Sequence, residues 1–198
     1  MANLFKPRSG LQQVQLVRKV AVALVGVALA FLFLATESRW RAVSERTYEA
    51  IEIAGSVLIF AGIIGRTWCT LYIGGRKRSE LVTVGPYSLT RNPLYVFSFV
   101  AAVGIGAQAG SLALAALFGA AMVVVFLPVV LREEASLAQI FPAEFAAYRA
   151  QVRRFAPRLS GWRDVDEITV RTGFVRSTFL DASIFLLAIP AGDVVDLL

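Results

Sequence analysis

The sequence predicts an all-α protein, a polytopic membrane helical bundle of about five transmembrane helices with one further helix at the cytoplasmic surface. Three observations carry that prediction. Of the 198 residues, 57% are hydrophobic and only 17% charged, and the apolar residues are gathered in long blocks, unlike the dispersed core positions of a soluble domain. Between Asn92 and Leu131 there are 40 consecutive residues without a formal charge. Finally, a five-span threading with the N-terminus inside leaves 17 of the 20 lysines and arginines on the cytoplasmic side. Arg39, Arg41 and Arg46 remain outside, a bias that sets the orientation by the positive-inside rule.

The first predicted span covers about Val17 to Ala35, behind the basic pair Arg18–Lys19. It has no small-x-small cleavage pattern before the charged segment, so it reads as a retained span and not a signal peptide. The second runs from about Ala50 to Ile73, with Glu52 near one end and Arg66 well inside. Gly74–Gly75 stops it, and the basic cluster Arg76, Lys77, Arg78 follows. As one helix, the 40 uncharged residues would measure about 60 Å, roughly twice a bilayer core. Folded near Gln108-Ala109-Gly110-Ser111, they give spans three and four as a tight hairpin whose ends, Arg91 and Arg132, return to one membrane side. Phe141-Pro142-Ala143-Glu144 then opens a short helix with proline at its preferred first position. Phe141, Phe145, Tyr148, Val152 and Phe155 recur along it at three- and four-residue intervals. Its interleaved Arg149, Arg153 and Arg154 suit anionic headgroups as well as they suit a catalytic role. A fifth segment, about Phe174 to Pro190, contains Arg176 and Asp181 and is read as a span.

Several function classes are excluded at once. The chain has no histidine and a single cysteine, Cys69, so imidazole bases, histidine-ligated metals, Ser-His-Asp chemistry and multi-cysteine metal sites are not available. We expect no metal. The net charge of +6 is accounted for by topology and implies no nucleic-acid partner. The expected partners are the bilayer and a hydrophobic small molecule or lipid; oligomeric state is open.

The polar residues that can carry chemistry cluster at two places. In Gly85-Pro86-Tyr87-Ser88-Leu89-Thr90-Arg91-Asn92-Pro93-Leu94-Tyr95, Gly85-Pro86 reads as a turn and Asn92-Pro93 as an N-cap followed by a first-turn proline. The positive end of span three then suits a carboxylate or phosphate, although Asn92 can simply cap the helix and Tyr95 simply anchor it. The second cluster is Arg132-Glu133-Glu134, where span four emerges. The hairpin brings it to the level of Arg91 and Asn92, as a salt-bridge network or as a site for a cationic ligand. Pro128 can kink span four and open a cavity there. The glycines Gly104, Gly106, Gly110 and Gly119 permit close helix approach.

These two clusters resemble the signatures of the isoprenylcysteine carboxyl methyltransferase family of membrane methyltransferases. The first is similar to its Gly-x-Tyr…Arg-His-Pro-x-Tyr. The second is similar to its Arg/Glu-Glu pair after a span, here Arg132-Glu133-Glu134, followed by Glu-x-x-x-Tyr and a basic-Phe-x-Pro element, here Glu144…Tyr148 and Arg154-Phe155-Ala156-Pro157. The resemblance covers about 81–159, a motif-bearing core inside a single membrane domain, 1–198. It implies an enzyme of the inner membrane that binds S-adenosyl-L-methionine from the cytosol and methylates a hydrophobic or lipid-like carboxylate, thiol or amine. By resemblance, Tyr87, Asn92, Tyr95, Glu133 and Glu134 bind the cofactor. Arg91, Arg132 and Arg153 bind or orient the substrate, and Glu133 is alternatively a base. Asn92 departs from the histidine of the prenyl-protein enzymes and is similar to the Asn-Pro-x-Tyr of phospholipid N-methyltransferases. The alternatives are a non-catalytic membrane scaffold of the same fold and an NADPH-dependent reductase resembling the sterol reductases.

Overall fold

The computed structural model describes residues 26, 28–33, 35, 43–76 and 79–190. Two compact units are distinguished, 1–36 and 37–198. In the first, residues 26, 28–33 and 35 are helical, in agreement with the predicted first span. The remainder of that span lies outside the described residues, as do Arg18, Lys19, Arg39, Arg41, Lys77 and Arg78.

The second unit contains helices and no strands among the described residues. Its elements are α1 (Glu45–Ile73), α2 (Pro86–Leu89), α3 (Pro93–Ala107), α4 (Leu112–Ile140), α5 (Pro142–Gln151) and α6 (Thr172–Ser183). Short 3-10 turns occupy Leu159–Gly161 and Ile184–Leu187. Helices Glu45–Ile73, Leu112–Ile140 and Thr172–Pro190 are long and apolar enough to cross a membrane, and Pro93–Ala107 is a shorter apolar helix. The protein is an integral membrane protein of the polytopic helical class.

Element boundaries differ from the sequence-based ones for local reasons. α1 begins at Glu45 and not near Ala50, because the Ser44 side chain accepts from the Thr47 amide at 3.3 Å and starts the helix a turn earlier. Gly85-Pro86 is not a bare turn: Gly85, at φ 59°, leads into the one-turn helix α2. α4 does not end where its charges appear but continues to Ile140. α5 stops at Gln151, so Val152 and Phe155 belong to the extended chain beyond it.

The hairpin turn falls where predicted. Gly110 takes φ 59°, a left-handed value that favours glycine, and Ser111 caps α4 by accepting from the Leu114 amide at 3.3 Å. The fully buried Gln108 ties this turn to α1 by donating to the Glu52 carbonyl (2.9 Å) and to Ser56 Oγ (3.2 Å). α3 and α1 pack almost backbone to backbone: a Cβ on Gly55 would stand 2.9 Å from the Gly104 carbonyl oxygen, and one on Gly104 2.7 Å from that of Gly55. Close contact of this kind replaces the hydrophobic drive that lipid cannot supply. α1 also receives α6, with Ile59, Ile63 and Ala182 in one cluster that Ile105 of α3 joins.

α3 and α4 do not stay in register. A Cβ on Gly119 would lie 3.1 Å from the Phe99 ring, the Tyr95 and Phe126 ring centroids are 5.7 Å apart, and Asn92 meets Glu134 at 2.8 Å. Between the first and last of these contacts α3 rises about 10 Å and α4 about 22 Å. α4 therefore takes the longer path and stands away from α3, with Pro128 on the detour. A groove of about 400 Å³ fills the gap.

Candidate active site

The polar cluster forms at the wide end of that gap, with Glu134 at its centre. Its carboxylate accepts from Arg91 Nε (3.0 Å), Arg91 Nη2 (3.2 Å), Asn92 Nδ2 (2.8 Å) and Arg154 Nε (3.0 Å). These four hydrogen bonds match the four lone-pair sites of a carboxylate. Glu134 is buried, and so is the Arg91 side chain. The fork-to-carboxylate contact of Arg91 is the strong bidentate type. Arg91 Nη1 continues to the Val152 carbonyl at 2.8 Å, and the Arg91 amide donates to the Arg153 carbonyl at 2.9 Å. Asn92 occupies the N-cap position of α3, but its side chain makes no capping bond; it is spent on Glu134 and, at 3.3 Å, on the Arg154 carbonyl.

The chain after α5 is held to the first motif in the same way. Thr90 Oγ1 donates to the Arg154 carbonyl at 2.8 Å, the Arg158 amide donates to the Leu89 carbonyl at 3.0 Å, and the Tyr148 hydroxyl donates to the Tyr87 carbonyl at 2.7 Å. Phe145, Tyr148 and Val152 form a buried cluster that also receives Leu81, Leu137 and Phe141. The apolar stripe of α5 thus faces protein, while Arg149 at its edge is exposed. Burial pushes the Tyr148 phenol above its usual range, so it remains a proton donor.

Glu133 sits one residue from Glu134 in a different environment. Its carboxylate accepts from the Tyr95 hydroxyl at 3.1 Å. Tyr95 also lines the groove, with Val96 and Phe99 of α3, Met122, Val123, Phe126, Leu127 and Val130 of α4, and Phe155 and Ala156 beyond α5. The lining is apolar except at the Tyr95 end. Tyr87 is buried against Cys69 and Tyr72, and its hydroxyl has no hydrogen-bond partner among the described residues. Burial raises its pKa well above that of a free phenol, and the nearby Cys69, Tyr148, Glu133 and Tyr95 raise it further.

Of the sequence-predicted residues, the fold brings together Tyr87, Arg91, Asn92, Tyr95, Glu133 and Glu134. Arg132 and Arg153 have exposed side chains. At 100° per residue, Arg132 falls on the face of α4 away from Phe126, Leu127 and Val130. Arg154, which the sequence reading placed only in the motif, is the second cation on Glu134. Its signal was the end of α5: once the chain is extended, side chains alternate, so Val152 and Arg154 point inward and Arg153 outward.

Residues 50–144 match the family of phospholipid methyltransferases. This stretch belongs to that family of membrane methyltransferases. The phospholipid methyltransferase match takes in α1 to α4 and ends inside α5, so the Arg154 arm lies beyond it. The chain is 40% identical over 137 residues to the nickel-cobalt-cadmium resistance protein NccN of Alcaligenes xylosoxydans xylosoxydans, covering 69% of this chain and 64% of that protein. It is 40% identical over 132 residues to the cobalt-zinc-cadmium resistance protein CzcN of Cupriavidus metallidurans, covering 67% of this chain and 61% of that one. The chain therefore spans somewhat less than two thirds of the length of these relatives. No solved structure matches it.

Proposed function

We propose that the protein transfers a methyl group from S-adenosyl-L-methionine to a hydrophobic or lipid-like acceptor at the cytoplasmic face of the membrane. The observation that carries the reading is that Tyr95, which lines an apolar groove of about 400 Å³, donates its hydroxyl to the Glu133 carboxylate. The residues fit the cofactor. Glu133 and Tyr95, hydrogen-bonded to each other beside the groove, are the groups we assign to its cationic amino-acid and sulfonium end. The buried Tyr87 hydroxyl is a donor in want of an acceptor. When bound, the cofactor supplies an electrophilic methyl group.

The chain's own residues do the rest by positioning. The groove lining holds the acceptor's apolar part and excludes competing water. The Glu134 clasp fixes the start of α3 relative to α4, and with it the Tyr95–Glu133 distance. An ionised carboxylate or thiolate acceptor needs no base. An amine acceptor must lose a proton, and Glu133, held by the groove-lining Tyr95, is the carboxylate we assign to take it. The absence of histidine is compatible with either route. Isothermal titration of the purified protein with S-adenosyl-L-methionine tests the reading: saturable binding, weakened at least tenfold in Glu133→Gln, is expected, and no binding would falsify it.

The relatives are named for resistance to nickel, cobalt, cadmium and zinc. Among the described residues no group of three or more His, Cys, Asp or Glu side chains is placed to hold a metal ion. We infer that any contribution of this chain to metal resistance comes through a methylated membrane component. Deleting the gene and restoring it with wild type or Glu133→Gln tests this; rescue of metal tolerance by the Gln variant would overturn it.

A further inference from the structure

Among the described residues, two buried side-chain polar atoms lack a hydrogen-bond partner: the Tyr87 hydroxyl and Nε of Arg66. Both are donors at physiological pH. Arg66 lies two turns inside α1, in the apolar part of a spanning helix where a charge is costly unless it has a use or a partner. Its Nη1 donates to Ser98 Oγ on α3, and Ser98 in turn donates to the Leu94 carbonyl at 2.8 Å. That anchors the guanidinium; the Asp181 carboxylate of α6 acts on it electrostatically, but no carboxylate forms an ion pair with it among the described residues.

The two orphaned donors lie in one neighbourhood. Cys69 is three residues beyond Arg66 on the same face of α1, and it packs in one buried cluster with Tyr87, Phe97 and Leu94. Ser98, which holds Arg66, is three residues beyond Tyr95 on the same face of α3. The Arg66 and Tyr87 donors are thus gathered between α1, α2 and α3, beside Tyr95 and across α3's first turns from the apolar groove. A buried, charged donor and a buried neutral donor that lack acceptors are both expensive; a ligand oxyanion satisfies both with charge-assisted hydrogen bonds.

We infer that Arg66 and Tyr87 form a carboxylate-binding subsite, which receives either the amino-acid carboxylate of the methyl donor or that of an acidic amphiphilic acceptor. The inference rests on the methyltransferase reading and adds Arg66 to it. It also gives the site a division of charge, with Glu133 for the cationic part of a ligand and Arg66 for the anionic part.

The test measures binding to the purified full chain in detergent by calorimetry. The ligands are two matched pairs: S-adenosyl-L-methionine against its decarboxylated analogue, and palmitate against hexadecanol. The variants are Arg66→Gln, Arg66→Lys and Tyr87→Phe, the last removing one oxygen from a side chain whose hydroxyl hydrogen-bonds nothing among the described residues. If the donor's carboxylate is the occupant, wild type prefers the intact donor by about tenfold or more. Arg66→Gln abolishes that preference, Tyr87→Phe reduces it and Arg66→Lys retains part of it. If the acceptor's carboxylate is the occupant, the same pattern appears in the palmitate pair and not in the donor pair. A simply structural Arg66 would lower stability without changing either preference, and unchanged preferences in folded Arg66→Lys and Tyr87→Phe overturn the assignment. Donor binding in wild type with no carboxylate preference in either pair also overturns it, leaving the methyltransferase reading intact. A wild type that binds neither donor overturns both.

Discussion

Glu133 and Glu134 are consecutive residues on one helix, yet they sit in opposite environments. Glu134 is buried with every lone pair filled by Arg91, Asn92 and Arg154. Glu133 is half-buried and turned toward Tyr95 at the end of the groove. A rotation of about 100° between neighbours on a helix puts one carboxylate into the joint between segments and the other beside the space where a ligand fits. A paired-acid motif of this kind is two devices: a clasp, and a group for chemistry. The most disruptive way to test that division is to remove the clasp. Glu134→Ala leaves Arg91 buried and unpaired and frees Asn92 and Arg154, for a loss of about 3–5 kcal/mol. We expect a large drop in the unfolding midpoint in detergent, together with loss of cofactor binding. A variant as stable as wild type would mean that the clasp does not hold these segments.

The complementary change comes next in size for function and is small for stability. Glu133→Gln keeps the shape and an acceptor for Tyr95, so the unfolding midpoint should move by less than about 1 kcal/mol. Affinity for S-adenosyl-L-methionine should fall roughly ten- to a hundredfold, as expected for losing a hydrogen bond to a charged group. If Glu133→Gln unfolds the protein while Glu134→Ala spares it, the roles of the two residues are reversed.

A third change leaves both carboxylates alone and acts on the groove between α3 and α4. Met122→Trp puts bulk into a space of about 400 Å³ lined by apolar side chains. Its effect should be confined to the long-chain acceptor: KM rises about tenfold with kcat little changed, the mark of lost uniform binding. Donor affinity should stay at the wild-type value. Calorimetry with the donor, alongside kinetics on acceptors of increasing chain length, separates this result from general destabilisation.

The contrast between the two carboxylates also marks how far the sequence could be read. The spanning helices and the hairpin were legible because 40 uncharged residues leave the chain only one physical solution, a fold near Gln108. That fold brings Arg132-Glu133-Glu134 back toward Arg91 and Asn92. The division of labour within the pair was not legible, because it depends on the rotation of α4 about its axis, which tertiary packing sets. Asn92 shows the same limit. Its position before Pro93 reads as a cap, but capping competes with a buried carboxylate 2.8 Å from its amide, and the charge-assisted bond wins. Gly55 and Gly62, which let α1 approach α3 so closely, stand out only once their partners Gly104 and Ala101 are known.

The smallest expected effect concerns the arginines. Arg91, Arg132, Arg153 and Arg154 are among those in or next to the motifs, and composition cannot rank them. Arg91 and Arg154 are spent on Glu134, whereas Arg132 and Arg153 direct exposed side chains away from it. Arg153 contributes through its backbone, whose carbonyl accepts from the Arg91 amide at 2.9 Å, and a side-chain substitution leaves that bond in place. Arg132→Gln and Arg153→Gln should therefore change stability by no more than about 0.5 kcal/mol and leave donor affinity at the wild-type value. Their effect should appear instead in binding to vesicles, where each exposed cation near an anionic surface is worth about 1 kcal/mol. Comparing neutral vesicles with vesicles rich in anionic lipid distinguishes the outcomes. A loss of donor affinity in either variant, with vesicle binding unchanged, would move that arginine from the membrane surface into the site.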